Sequence, residues 1–206
     1  QLQPSGVVDE GVMDVYRRIP REMFVPNALR GVCYMDEDVA IGNGRFLMEP
    51  IIHARMVQDA GLMSSDKVLD IGGGAGYSAA ILASLAGSVV ALDEDEQLLQ
   101  SGPVKWAELG LKNITAVVGA HRDGAAKEGP FNAIFVNGAV SAIPDNLIGQ
   151  LTDSGRLYCV IQPDESGTGN LTVIVKENGG LVLHKNLGTA TTRLLKGFSD
   201  PKAFEF

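Results

Sequence analysis

Two carboxylates and a glycine loop are the groups in this chain best suited to chemistry on a bound ligand. Asp70 stands just before Gly72-Gly73-Gly74-Ala75-Gly76, and Asp93 closes the run Val89-Val90-Ala91-Leu92. Val68, Leu69 and Ile71 lead into the loop, and an apolar run from Tyr77 to Leu85 leaves it. That order reads as a buried strand, a tight turn and the start of a helix. Glycines in such a turn admit positive φ and put no Cβ in the way of a ligand. The helix start behind them offers unpaired N–H groups to an anion. Asp93 can accept two charge-assisted hydrogen bonds on one carboxylate. Glu94, Asp95 and Glu96 follow it, so Asp93 also suits a helix cap, and it can serve both ends.

A dinucleotide fingerprint, G-x-G-x-x-G, would place its third glycine at Tyr77. The spacing here is G-x-G-x-G, and it resembles the S-adenosylmethionine (AdoMet) site of the Rossmann-like methyltransferases. The resemblance implies AdoMet as cofactor and S-adenosyl-L-homocysteine as its product. It also implies that Asp70, Gly72, Gly73, Gly74 and Gly76 lie along the methionine and ribose portions, with Asp93 on both ribose hydroxyls.

The elements that must position these groups alternate from Lys67 onward. Strands are predicted at 67–71, 88–93, 114–118, 131–137 and 156–162, with helices near 76–86, 94–109 and 144–151. Pro103, after Ser101-Gly102, predicts a kink or break in the second of these helices. Upstream, Val12, Met13, Tyr16 and Ile19 share one face of a short helix that Pro20 ends. Arg21 to Pro26 starts another short element. Val32 to Asp38 and Ile41 to Gly44 read as loop with short strands, and Pro50 opens a helix running to about Ala60. Asn170 to Lys176 and Leu181 to Asn186 read as strands joined by the hairpin signal Glu177-Asn178-Gly179-Gly180. The expected fold is therefore α/β and Rossmann-like. It has a mostly parallel central sheet, a C-terminal antiparallel hairpin, helices on both faces and a small N-terminal helical cap. We expect a single domain over 1–206: a cap and acceptor-side segment at 1–60, the AdoMet-binding core at 61–165, and the hairpin and tail at 166–206.

Bulk properties exclude several other classes. Hydrophobic residues make up 45% and charged residues 20%, which is the balance of a globular chain. The net charge of −8 and the lack of a Lys/Arg-rich run argue against nucleic acid as a partner. No apolar run reaches membrane length, so no membrane partner is expected. Cys33 and Cys159 form no C-x-x-C pair and the three histidines are scattered. No metal is expected, and a cytoplasmic setting is. Gln1 rather than Met opens the chain, so residues are expected ahead of it. The oligomeric state is left open.

The N-terminal half narrows the resemblance. Arg21-Glu22-Met23-Phe24-Val25-Pro26, Tyr34-Met35-Asp36, Ile41-Gly42-Asn43-Gly44 and Pro50 together resemble the protein-L-isoaspartate O-methyltransferase family. That family carries R-x-x-F-V-P, Y-x-D and I-G-x-G ahead of its glycine loop. The likeness runs over about 17–162, continuing through Leu109 to Ile114, Pro130-Phe131 and Ile143 to Leu151. It implies methyl transfer to a protein or peptide carboxylate, a repair reaction on isoaspartyl residues. It also places Gly119, Ala120 and Asn137 among the cofactor contacts.

The departures bear on the acceptor. Where the family reads Q-T-I-S-Q-P, this chain has Arg45-Phe46-Leu47-Met48-Glu49-Pro50. The Thr and Ser hydroxyls at the family's methyl-transfer site become Phe46 and Met48, an apolar and drier pocket. The family's G-D-G, whose Asp lies near the adenine, becomes Gly119-Ala120-His121, and its P-[FY]-D becomes Pro130-Phe131-Asn132. The catalytic residues are not fixed by the sequence; Arg45, Phe46, Met48 and Glu49 are the acceptor-pocket candidates. Arg45 suits either a bidentate bond to a substrate carboxylate or a solvated loop. Glu49 reads first as an acid at a helix start. His121 is expected at the surface, His53 in packing or at the surface, and Arg17, Arg18 and Arg21 as solvated charges. The same residues also fit methylation of a different acceptor, or an AdoMet-binding protein without catalysis.

Overall fold

The computed structural model describes residues 2, 6–162, 167–177 and 182–198. Helix α1 (Glu10–Arg18) starts where the Asp9 carboxylate accepts the Val12 N–H, and it buries Val12, Met13, Val15 and Tyr16. Short helical turns follow at Arg21–Phe24 and Asn27–Leu29. A two-stranded hairpin, β1 (Val39–Gly42) and β2 (Arg45–Leu47), turns through Asn43 and Gly44, both at positive φ. Pro50 then opens α2 (Pro50–Ala60), and Gly61 closes it in the left-handed conformation.

The central units are β3 (Lys67–Ile71), α3 (Tyr77–Ala83), β4 (Ser88–Asp93), α4 (Glu96–Leu99), α5 (Gly102–Glu108), β5 (Ile114–Val118), β6 (Phe131–Val140), α6 (Asp145–Gly149) and β7 (Leu151–Ile161). Antiparallel β8 (Gly169–Lys176) and β9 (Val182–Ala190) complete a seven-stranded sheet of order β5-β4-β3-β6-β7-β8-β9. The first five strands in that order are parallel. This is the expected Rossmann-like architecture with its C-terminal antiparallel pair.

Alternate residues of each strand feed two apolar layers, as a sheet buried on both faces requires. Val68, Val89, Ala91, Phe135 and Tyr158 pack with α1, α2, α3 and Trp106 of α5. Leu69, Ile71, Val90, Leu92, Val136 and Leu157 pack with Leu147 of α6 and with Leu195 and Phe198 of the C-terminal segment. The second face carries the short helix α6, with the irregular C-terminal segment packed beside it.

Several boundaries differ from the sequence expectations. The expected helix over 94–109 is two helices broken at Gln100-Ser101, and Pro103 sits in the first turn of α5, where no N–H is needed. Strand β6 runs past 137 to Val140 because a bulge between Phe135 and Ala139 lets pairing resume. Strand β7 begins at Leu151, ahead of the expected 156, and α6 covers only Asp145–Gly149. The expected turn at Asn178-Gly179-Gly180, and Leu181, lie outside the described residues.

Candidate cofactor and acceptor site

The glycine loop, Asp93, Gly119 and Asn137 meet at the carboxyl ends of parallel strands. There β4 and β6 leave β3 in opposite directions, and an α/β sheet opens a crevice at such a point. Gly72, Gly74 and Gly76 have φ of 73°, 57° and 91°, so the loop takes the conformation its glycines permit. Trp106 closes its far end by donating Nε1–H to the Gly76 carbonyl at 2.9 Å.

Asp93 is fully buried, and each of its oxygens already carries donors. Oδ1 accepts from Arg45 Nη1 at 2.6 Å and the Asp95 N–H at 2.9 Å. Oδ2 accepts from the Gly74 N–H at 2.8 Å and Arg45 Nη2 at 3.1 Å. Arg45 Nη2 also donates to the Gly72 carbonyl at 2.8 Å. Burial alone would raise the Asp93 carboxyl, but its contacts with His121 and Arg45 outweigh that and hold it well below the usual carboxylate range. Arg45 therefore neither lies in solvent nor reaches toward an acceptor. Leu47 gave a signal for this, since Arg45 alternates with Phe46 and shares the inward side of β2 with Leu47.

A second buried chain of polar groups runs under the loop. Tyr16 Oη meets His53 Nδ1 at 2.5 Å, and His53 Nε2 meets Ser78 Oγ at 2.8 Å. Ser78 Oγ donates to Asp70 Oδ1 at 2.6 Å, and Asn137 Nδ2 donates to the same oxygen at 2.7 Å and to the Ile71 carbonyl at 2.9 Å. Burial pushes the Asp70 carboxyl up to about 6, against the hydrogen bonds from Ser78 and Asn137. Its Oδ2 has no hydrogen-bond partner and lies 2.5 Å from where a Cβ on Gly73 would stand. Burial, aided by the charge of Arg21, pulls His53 down to about 3, so it is a neutral internal link.

Other expectations are corrected by burial. His121 is buried rather than at the surface; its Nδ1 donates to the Lys196 carbonyl at 2.9 Å and its Nε2 lies 3.3 Å from Asp93 Oδ1. Arg21 is 1% exposed rather than solvated. Its Nε donates to the Cys33 carbonyl at 2.6 Å and its Nη2 to the Met48 carbonyl at 2.9 Å, while its guanidinium lies 5.1 Å from the Tyr77 ring centroid. Ala120 is exposed, and the Gly119 N–H donates to the Asp93 carbonyl at 3.1 Å.

Three of the four acceptor candidates, Arg45, Phe46 and Met48, line one small pocket with Asn137 and Leu195, and Glu49 stands outside it. Met48 is buried. Phe46 lies under the Arg193 guanidinium, 5.0 Å from its ring centroid. Glu49 occupies the cap position of α2 without bonding it, and its own N–H donates to Asp38 Oδ1 at 2.9 Å. Phe46 and Met48 also line a tight gap, with room for about one water, together with Arg21, Gly72, Gly73 and Asn137. Arg21 and Tyr77 also line a larger cleft of about 370 Å³ with Tyr16, Arg17, Tyr34 and Pro50. Leu195 and the Tyr16–His53–Ser78 relay were not anticipated, because no local pattern links residues so far apart.

The family model for protein-L-isoaspartate(D-aspartate) O-methyltransferase matches residues 1–192. The chain belongs to this family. A protein-L-isoaspartate O-methyltransferase of Methanoculleus marisnigri is 38% identical over 179 residues, covering 87% of this chain and 80% of the relative. One from Stenotrophomonas maltophilia is 33% identical over 201 residues, covering 97% and 88%. Among solved structures, a protein-L-isoaspartate O-methyltransferase aligns with a TM-score of 0.81 at 22% identity; it covers 96% of this chain, which spans 64% of that longer protein. A Plasmodium falciparum protein described as a member of the same family, in complex with S-adenosyl-L-homocysteine, aligns with a TM-score of 0.78 at 21% identity over 95% of both chains. These two likenesses show the fold.

Protein-L-isoaspartate O-methyltransferases are AdoMet-dependent, and the residues present fit that cofactor at one end of the crevice more openly than at the other. The unpartnered Asp70 Oδ2 suits a donor on the methionine side. Both Asp93 oxygens, at the other end, are held by Arg45.

Proposed function

We propose that this chain is an AdoMet-dependent O-methyltransferase acting on a carboxylate of a protein or peptide, through an acceptor pocket that departs from the isoaspartyl pattern. The observation that carries the proposal is the tight gap joining Phe46 and Met48 to Gly72, Gly73 and Asn137, with Arg21 and Tyr77 shared with the outer cleft. An acceptor entering by the cleft would reach the glycine loop past the Arg21 guanidinium. Bound AdoMet supplies an activated sulfonium methyl, so a good leaving group comes with the cofactor.

A carboxylate acceptor is ionised at neutral pH, with a reference pKa near ~4. It needs alignment and exclusion of water more than a general base. The residues at hand agree: His53, Tyr16 and Tyr77 are buried, burial keeps His53 neutral, and it raises both phenols. Arg21 pairs with carbonyl oxygens rather than a carboxylate, which leaves its charge available to an incoming anion. Phe46 and Met48 dry the pocket but offer no hydroxyl to an isoaspartyl main-chain amide.

Among the described residues no helix is long and apolar enough to cross a membrane. Cys33 and Cys159 are both free and buried, which supports a reducing, cytoplasmic setting. The reaction belongs to one methyltransferase domain. Transfer of labelled methyl from AdoMet to an isoaspartyl peptide, beside its normal aspartyl counterpart, tests the proposal. A base-labile label on either peptide supports carboxyl methylation, and no label on any protein acceptor defeats it.

A further inference from the structure

The glycine loop is already covered by the chain's own side chains. A Cβ on Gly72 would stand 2.8 Å from both Leu195 methyl carbons, one on Gly138 would stand 2.9 Å from Leu195 Cβ, and Ile41 presses on Gly74. The two covering segments are fastened to each other. Thr192 Oγ1 donates to Asp38 Oδ2 at 2.6 Å, the Arg193 N–H donates to the same oxygen at 2.9 Å, and Arg193 stacks on Phe46. The 192–195 stretch is in turn laid along β6 by the Ala139 N–H to Arg193 carbonyl and Leu195 N–H to Ala139 carbonyl bonds, both 2.8 Å. The β1–β2 hairpin and this C-terminal strap make one clasp.

Inside the clasp Arg45 does to Asp93 what a diol would do. A carboxylate has about four lone-pair sites. Arg45 fills one on each oxygen and backbone N–H groups of Asp95 and Gly74 fill the others. We propose that Arg45 is the gate of the cofactor site: its guanidinium holds the two oxygens a ribose cis-diol requires, and AdoMet is admitted when Arg45 releases them. This rests on the AdoMet reading given above. A place to receive the released guanidinium adjoins it. A groove of about 220 Å³ is lined by Arg45 itself with Asn43, Glu94, Asp95, Glu96 and Lys196, so three carboxylates border the swing. Apparent affinity is then the intrinsic affinity reduced by the fraction of molecules with Arg45 released.

Calorimetric titration of S-adenosyl-L-homocysteine into the unmodified chain, Arg45→Gln and Asp93→Asn tests this. Arg45→Gln is expected to bind at least tenfold tighter, and Asp93→Asn at least tenfold weaker. Trp106 is the single tryptophan and bonds the loop at Gly76, so its fluorescence follows binding in stopped flow. With a gate, the observed association rate of the unmodified chain levels off as ligand rises, because release of Arg45 limits it, while that of Arg45→Gln keeps climbing. Equal or weaker binding by folded Arg45→Gln overturns the gate. Should that variant fail to fold, a rate in the unmodified chain that climbs without a plateau overturns it. Weak binding by Asp93→Asn alone leaves the AdoMet reading standing without a gate. No binding to either the unmodified chain or folded Arg45→Gln sinks the AdoMet reading itself.

Discussion

Arg45 and Asp93, 48 positions apart, form a two-point ion pair inside the protein, Nη1 to Oδ1 at 2.6 Å and Nη2 to Oδ2 at 3.1 Å. Arg45 is 5% exposed and Asp93 0%. Removing one member of a buried pair strands the other, at a cost of about 3–5 kcal/mol. Arg45→Met and Asp93→Asn should each lower stability by that order. The double variant should lose at least about 1 kcal/mol less than the sum. Urea unfolding of all four proteins measures this, and strictly additive losses would contradict direct pairing.

Leu195 should matter to stability and to the cofactor in opposite senses. It is 4% exposed and seated on Gly72 and Gly138. Leu195→Ala should cost roughly 2–5 kcal/mol of stability, yet tighten binding of S-adenosyl-L-homocysteine by uncovering the loop. Weaker binding by the folded variant would show that Leu195 supports the site rather than covering it.

His53 and Asp70 give the molecule opposed acid responses. His53 is lowered to about 3 when folded, so between there and its ordinary 6.5 the unfolded chain binds the extra proton; its stabilising contribution is present above 6.5 and lost as pH falls. Asp70 is raised to about 6, so its contribution is full below the ordinary 3.8 and lost as pH rises through 6. Each response has a slope of at most about 1.4 kcal/mol per pH unit, and between pH 4 and 6 they offset. Asp70→Asn should therefore destabilise on acidification from pH 6 to 4 more steeply than the unmodified chain. Unfolding midpoints across that range check it, and parallel curves would refute the assignment to Asp70.

For the acceptor, the change Phe46→Thr with Met48→Ser returns hydroxyls to the pocket. A buried amide left unpaired costs on the order of 1–3 kcal/mol, so the unmodified chain should methylate isoaspartyl peptide weakly, roughly tenfold or more below a site that pairs it. The double change should raise isoaspartyl turnover, with circular dichroism confirming the fold. Efficient turnover by the unmodified chain would restore the plain isoaspartyl assignment.

Ala120 is exposed at the position where the family carries Asp. Ala120→Asp should tighten S-adenosyl-L-homocysteine binding or leave it unchanged. A large loss of affinity would mean that the loop after β5 meets the cofactor differently.

The sequence by itself determined the alternation of strands and helices, the glycine turn and the placing of Asp93 at a strand end. Those follow from periodicity and local conformation: Gly72, Gly74 and Gly76 admit the positive φ a tight turn uses, and the β-branched apolar run Val89 to Leu92, bounded by turn signals, reads as a buried strand. Family membership was legible for the same reason, since Arg21 to Pro26 and Ile41 to Gly44 are local motifs. What Arg45, His121 and Arg21 do was decided by tertiary structure. A charged residue's partner is set by which segments the fold brings together, and the partner of Arg45 lies 48 residues away on another strand, while His121 meets Lys196 across 75 residues. Their burial follows from that pairing, because a charge can leave water only where a partner repays its desolvation. Leu195 reaches the glycine loop because the chain beyond β9 returns along β6, an edge pairing that no spacing within the sequence encodes.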